Sequence, residues 1–392
     1  MNRSRGLFLL VSLAVLVPVM TTVLWSAGRR STDGDVDSPY KNLAIFSEVL
    51  NLIRSNYVDP TDSGQLMAGA FDGMGDALDP FSTWVPVDQL AVADAANAVG
   101  RSHSGLTLLK DQGIAFVLAV EAGSPAAQAG LQAGDIVAEI DGRSTREMPT
   151  WALEAQLAGS VGTTLKLRVL RQGDDLKLDL PLADYQPPAP EVVEHEGLPM
   201  LRIGSFGPET VAQARALVEG LAAREATQLL VDLRGVAGGS PAAAFGLAAL
   251  FADGELGQLA GRSDEPRRFN GESAPLWRGE IVVLVDASSQ GPAEILAAVL
   301  RARAGARLVG VETFGWAGEV EPVELSDGSR LRLTTAFYAP AGGAPISTGL
   351  APDLLVDDFP SHFGDREKPL ADRILERGVG LLRGSDAEHQ AA

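Results

Sequence analysis

Gly123-Ser124-Pro125-Ala126-Ala127-Gln128-Ala129-Gly130-Leu131-Gln132-Ala133-Gly134-Asp135-Ile136-Val137 decides how the middle of this chain is read. Ser124 offers a hydroxyl to the first turn of a helix. Pro125 suits the first helical position, because the N–H it lacks would have no partner there. Gly130 supplies the left-handed residue on which helices end. The stretch therefore predicts a short helix over 125–129 and then a strand over 135–140, closed by the turn Asp141-Gly142. Outward from it, alternating apolar residues predict strands over 105–109, 114–120, 164–171 and 177–182, with Gln172-Gly173 as a second turn. A longer helix is predicted from Thr150 to about Ala158.

Gln186-Pro187-Pro188-Ala189-Pro190 is a stiff boundary. Beyond it strand and helix patterns alternate. Strands are predicted over 200–206, 228–233 and 281–286, and helices over 210–222, 241–251 and 292–303. That alternation argues for an α/β domain. Upstream, Leu43, Phe46, Val49, Leu50 and Ile53, then Leu66, Ala70 and Met74, recur at helical spacing, with a break at Asp59-Pro60. The stretch 78–84 reads as a turn followed by extended chain. At the start, Arg3 and Arg5 precede an apolar run over 7–25, expected to be a signal anchor or a signal peptide. The tail beyond Phe359 carries one amphipathic piece with Leu370, Ile374, Leu375 and Leu381.

The chain has 392 residues, a net charge of −19 and no cysteine. Phosphate backbones require a basic surface, so the acidity argues against nucleic acid as a partner. The absence of cysteine excludes disulfides, thiolate metal sites and thiol catalysis. The histidines, His103, His195, His362 and His389, are not spaced as a metal pair. No metal and no cofactor are expected.

The segment from Arg101 to Leu182 resembles a PDZ domain along its whole length, with the quoted stretch as signature and Ile140-Asp141-Gly142 close behind. The resemblance implies a groove between a strand and a helix, in which a guest C-terminus adds as an extra strand. The carboxylate loop it implies is Ser104-Gly105-Leu106-Thr107; the family often has glycine where Thr107 stands. Leu153 and Leu157 are the implied pocket residues of the groove helix.

The wider chain, from about Asn42 to Asp358, resembles the carboxyl-terminal processing peptidases, or tail-specific proteases, which are serine peptidases with a PDZ domain. Asn56-Tyr57-Val58-Asp59 and Leu78-Asp79-Pro80-Phe81-Ser82 match their helical segment. Asp232-Leu233-Arg234-Gly235-Val236-Ala237-Gly238-Gly239 matches their Gly-Gly loop. Thr313-Phe314-Gly315, Leu325-Ser326-Asp327-Gly328 and Gly349-Leu350-Ala351-Pro352-Asp353 match three later landmarks. Anchored on Glu294, the resemblance assigns the nucleophile to Gly291, the general-base lysine to Trp316 and an assisting glutamine to Val320. The oxyanion region it implies contains Gly238, Gly239 and Pro292, and a proline has no N–H to give. The lysines are Lys41, Lys110, Lys166, Lys177 and Lys368, so the peptidase-like stretch is lysine-free up to its tail. Ser288 and Ser289 are nearby hydroxyls, and nothing in the spacing pairs them with His195 or His362.

The expected architecture is α/β (α+β overall): a PDZ domain joined to a peptidase core, with N-terminal helices. The divisions are a signal segment over 1–30, a linker over 31–41, a helical segment over 42–98, the PDZ domain over 99–185, the core over 186–358 and a tail over 359–392. The expected function is that of an inactive homologue that binds C-terminal peptides of exported proteins, or regulates an active peptidase. It would face the periplasm from the inner membrane or be secreted there. A homo-oligomer or a hetero-complex with an active relative belongs to the same expectation. An active serine endopeptidase with a displaced site and a structural scaffold of the cell envelope are the alternatives.

Overall fold

The computed structural model describes residues 39–99, 103–262, 265–271, 274–356 and 369–384. The run over 7–25 lies outside them, as does His362. Among the described residues no helix is long and apolar enough to cross a membrane. The chain divides into two units, one up to Met67 and one from Ala68 onward. The first contains helix α1 (Pro39–Asn56) and the opening turns of α2 (Ser63–Asp76), separated by the segment that holds Asp59-Pro60.

In the second unit, strand β1 (Thr83–Val85) and helix α3 (Leu90–Val99) precede the PDZ sheet. α3 was not predicted. Its sequence, Leu90-Ala91-Val92-Ala93-Asp94-Ala95-Ala96-Asn97-Ala98-Val99, has high helix propensity but no clear apolar face. The sheet is built from β2 (Leu106–Asp111), β3 (Ile114–Val120), β4 (Ile136–Ile140), β5 (Arg143–Ser144), β6 (Thr164–Arg171) and β7 (Asp174–Pro181). Its order is β2-β3-β4-β6-β7, with β5 paired to β4, so β2 is an edge strand. Helix α4 (Pro125–Gln128) opens as predicted, with the Ser124 hydroxyl accepting the Ala127 N–H at 3.1 Å. Asp141 (φ 50°) and Gly142 (φ 77°) make the left-handed turn after β4. Helix α5 (Thr150–Leu157) packs over a core that includes Leu106, Val137, Leu153 and Val169.

The core domain begins with β8 (Glu191–His195) and β9 (Leu198–Arg202), followed by α6 (Thr210–Ala223), β10 (Gln228–Asp232) and α7 (Pro241–Ala248). Next come β11 (Gly254–Gly261), β12 (Arg267–Gly271), β13 (Glu280–Val285), α8 (Pro292–Ala304) and β14 (Arg307–Gly310). Then follow β15 (Gly318–Glu324), β16 (Arg330–Pro340), β17 (Leu354–Leu355) and α9 (Leu370–Leu382). One sheet runs β17-β14-β13-β10-β9-β8 and is parallel except for the β8–β9 hairpin. Its central strands are buried on both faces, which explains their unbroken apolar runs. Leu229, Val231, Ile281 and Val283 join the cluster under α6, α7 and α8, while Leu230, Val282 and Leu284 turn the other way, toward α9. The remaining sheet is antiparallel, in the order β1-β16-β11-β12 with β15 on β16. It escaped prediction because its strands are mostly half-exposed and rich in glycine and charge, which weakens the two-residue period.

Candidate functional site

β13 leaves the parallel sheet at Val285, and Asp286 to Gly291 lead into α8. Gly291 adopts φ 62°, ψ −111°, a conformation that favours glycine. Pro292 then takes the first helical position. Glu294, fully buried one turn in, accepts four hydrogen bonds. They come from the N–H groups of Gly291 (3.0 Å), Gly315 (2.6 Å) and Trp316 (2.9 Å) and from the Thr313 hydroxyl (2.5 Å). Burial pushes its carboxyl above the ordinary value, and these donors offset part of that rise. One carboxylate thus docks the turn 313–316 onto the start of α8, bringing Trp316 beside Gly291. A Cβ built on Gly291 would stand 3.9 Å from the Trp316 carbonyl oxygen.

The nearby serines serve the loops. Asp286 accepts from the N–H groups of Gly235 and Ser288, both at 3.0 Å, and from the Ser289 hydroxyl at 3.2 Å. The Ser289 hydroxyl also donates to the Leu233 carbonyl at 2.9 Å and is fully buried; Ser288 is buried too. His195 lies on β8, at the far edge of the parallel sheet.

Gln290 closes the space between the two loops. Its Oε1 accepts the Gly238 N–H at 3.0 Å, and its Nε2 donates to the Trp316 carbonyl at 2.8 Å. Gly239 (φ 110°) backs onto Phe206, where a Cβ would come within 2.8 Å of the phenylalanine Cβ. The Trp316 indole stacks on Phe81 (centroids 3.6 Å, planes 19° apart) and meets the Phe337 ring edge-on. Its Nε1 is buried without a partner. Val320 lies on β15 and lines a separate cavity with Asp94 and Arg330. On the PDZ side, Leu109, Leu118 and Ala119 are buried together with Ala237, flanked by Phe81, Phe116 and Phe314. The PDZ sheet therefore covers the Gly-Gly loop.

The groove lies between β2 and α5. It is a cavity of about 190 Å³ lined by Phe81, Ala96, Thr107, Leu108, Glu154 and Leu157, among others. Leu157 is among the residues that line it. Leu153 is not: it is buried in the PDZ core, and Thr150 and Glu154 take the groove face of the helix. Leu106 and Thr107 also line the cavity, whereas Ser104 and Gly105 are buried away from it. The Ser104 hydroxyl accepts the Leu106 N–H at 3.3 Å. Gly105 (φ 65°) is boxed in by Ser124, whose Cβ would sit 2.2 Å from an added Cβ, so no larger residue fits. Glu154 pairs with Arg332 of β16 at 2.6 Å. Among the described residues no cluster of His, Asp or Glu could hold a metal ion. Sequence reasoning missed Gln290, Ala96 and Asn97, because a lone glutamine and an alanine-rich helix carry no pattern that names a site.

Residues 197–356 match peptidase family S41, and residues 116–171 match the PDZ domain family. The chain thus carries a stretch that matches the PDZ domain family, followed by one that matches peptidase family S41. Its relatives are carboxy-terminal processing proteases. That of Bartonella bacilliformis is 27% identical over 97% of this chain and 88% of its own length. The carboxy-terminal processing protease CtpA of Bacillus subtilis is 27% identical over 90% of this chain and 78% of its own. Among solved structures, the photosystem II D1 C-terminal processing protease shares the fold, with a TM-score of 0.65 at 23% identity, over 80% of this chain and 92% of that one.

Proposed function

We propose that this chain is a carboxy-terminal processing protease relative that has lost peptide hydrolysis and retains the binding of C-terminal tails. The observation that carries this reading is Gln290. An acyl-transfer site needs free N–H donors aimed at the developing oxyanion. Here the Gly238 N–H is already taken by the Gln290 amide, whose other end holds the Trp316 carbonyl. Pro292 has no N–H to offer, and Gly291 has no side chain to attack with. No lysine stands between Lys177 and Lys368, and Lys110 is committed to Asp76 at 3.4 Å. The buried Ser289 hydroxyl, donating to a carbonyl, disfavours a displaced nucleophile. Tail binding is supported by the place of β2 at the end of its sheet beside α5, the arrangement that strand addition requires.

The test is an assay of the full chain in two arms. Against an unfolded protein substrate and a fluorophosphonate probe, neither cleavage nor labelling is expected. Cleavage abolished by Ser288→Ala or Ser289→Ala would overturn the inactive reading. Gly291→Ser with Trp316→Lys is also expected to stay nearly inactive, because Gln290 and Pro292 still deny the oxyanion its donors. In the binding arm, a fluorescent octapeptide with an apolar free C-terminus is expected to bind more tightly than its C-terminal amide by about 1.5–3 kcal/mol. Equal affinities would remove the carboxylate-loop mechanism.

A further inference from the structure

The groove beside β2 is too small for the guest just proposed. Its volume of about 190 Å³ falls below the roughly 300 Å³ at which ligand pockets begin. What narrows it is α3, whose Ala96 and Asn97 form the wall opposite β2 and α5. On its other side α3 borders a second cavity of about 280 Å³, lined by Ala93, Asp94, Val320, Pro322, Arg330 and Arg332 among others, and Asn97 borders both. The helix is thus a partition between two spaces.

It buries little apolar area. Of its described side chains only those of Ala93 and Ala96 are buried, with Leu90 half-buried, and a methyl group contributes little. Its ion pair, Asp94 with Arg330 at 2.5 Å, involves an aspartate 54% exposed, so solvent screens it. α3 does lie along α5, but a contact made through such small buried side chains, with empty space behind the helix, can slide at modest cost.

We propose that α3 is a displaceable plug of the PDZ groove. A C-terminal peptide adds to β2 by pushing Ala96 and Asn97 toward the second cavity, which joins the two spaces into one of peptide size. The inference rests on the tail-binding reading and adds a competitor internal to the chain. It also gives binding a route to the core, because Arg330 and Arg332 belong to β16. A guest that moves α3 disturbs the Asp94–Arg330 pair, and one that reaches Glu154 disturbs its pair with Arg332.

The test measures peptide affinity of the full chain by fluorescence polarisation, with an octapeptide ending in Ala-Leu-Val and its C-terminal amide. Each Ala→Gly change weakens a helix about fivefold in its equilibrium constant. If α3 competes with the guest, Ala93→Gly with Ala96→Gly binds the free-acid peptide about tenfold or more tightly than the wild type. Ala96→Leu, which seats α3 more firmly in the groove, weakens binding without abolishing it. Wild-type binding that the glycine pair weakens or leaves unchanged makes α3 a fixed wall and overturns the plug, with tail binding intact. Binding unaffected by Ala96→Leu also overturns it. If neither the wild type nor the glycine pair binds the peptide, tail binding falls, and the plug with it.

Discussion

Trp316 is held by what lies under it as much as by what stacks on it. A Cβ on Gly318 would come within 2.6 Å of the indole Cζ2, so the ring occupies the volume a side chain at 318 would use. Gly318→Ala is therefore expected to cost about 1–3 kcal/mol in the wild type, the range for overpacking. In a Trp316→Ala background, where the ring is gone and only Thr334 Cγ2 at 3.0 Å still crowds the site, it costs clearly less. Trp316→Ala alone loses the stack on Phe81 and about 2–4 kcal/mol. Urea unfolding of the four proteins in this cycle measures the coupling; additive effects would mean that the indole does not rest on Gly318. At this scale the sequence is legible where a residue type lacks a group outright. Gly291 has no side chain, Pro292 has no N–H, and Trp316 has no amine. Gln290 was not legible, since its two bonds reach Gly238 and Trp316, and only the fold shows that these loops meet.

Among elements, the predicted ones share strong local signals. α4 carried its cap and its proline, and β10 and β13 carried apolar runs that could only be buried strands. The junction of α2 with β2 carried no such signal, because it is made by charge. Lys110, buried on β2, reaches Asp76 of α2 at 3.4 Å. Asp72, one turn earlier, has a buried oxygen without a partner. Burial, with Asp76 nearby, pushes the Asp72 carboxyl up to about 6, and Lys110 opposes the rise. A carboxyl whose folded pKa is raised stabilises the fold fully below its unfolded value, and that contribution is lost as pH rises through about 6. Asp72→Asn is therefore expected to be more stable than the wild type by about 1 kcal/mol at pH 7.5, a figure discounted for the half-exposed site. At pH 4.5, most of the way down the window between 3.8 and about 6, the gap should shrink to about a third of that. Thermal melts at both pH values decide it, and an equal gap at both would rule out titration of Asp72 as the cause.

In the whole second unit, β16 is the element on which the parts converge. It pairs with β1, β11 and β15. It receives α3 through Arg330 and α5 through Arg332, and its Thr334 N–H donates to the Ser82 hydroxyl at 3.2 Å. Trp84 of β1 adds a bond from its Nε1 to Ser329 at 3.0 Å. This convergence decides how the chain can be handled in pieces. A fragment starting at residue 186 keeps every strand of the parallel sheet, yet it strips β1 from β16, the PDZ sheet from Ala237 and Phe314, and Phe81 from Trp316. It exposes an unpaired strand edge beside an apolar patch, the combination that templates intermolecular sheet growth. Such a fragment should appear in the void volume of a size-exclusion column, while one starting at Ser63 elutes as a discrete species. A soluble, monodisperse 186–392 fragment would show that the PDZ cover is dispensable. Solubility of the core is thus a task of the PDZ domain in its own right, separate from any tail that it binds.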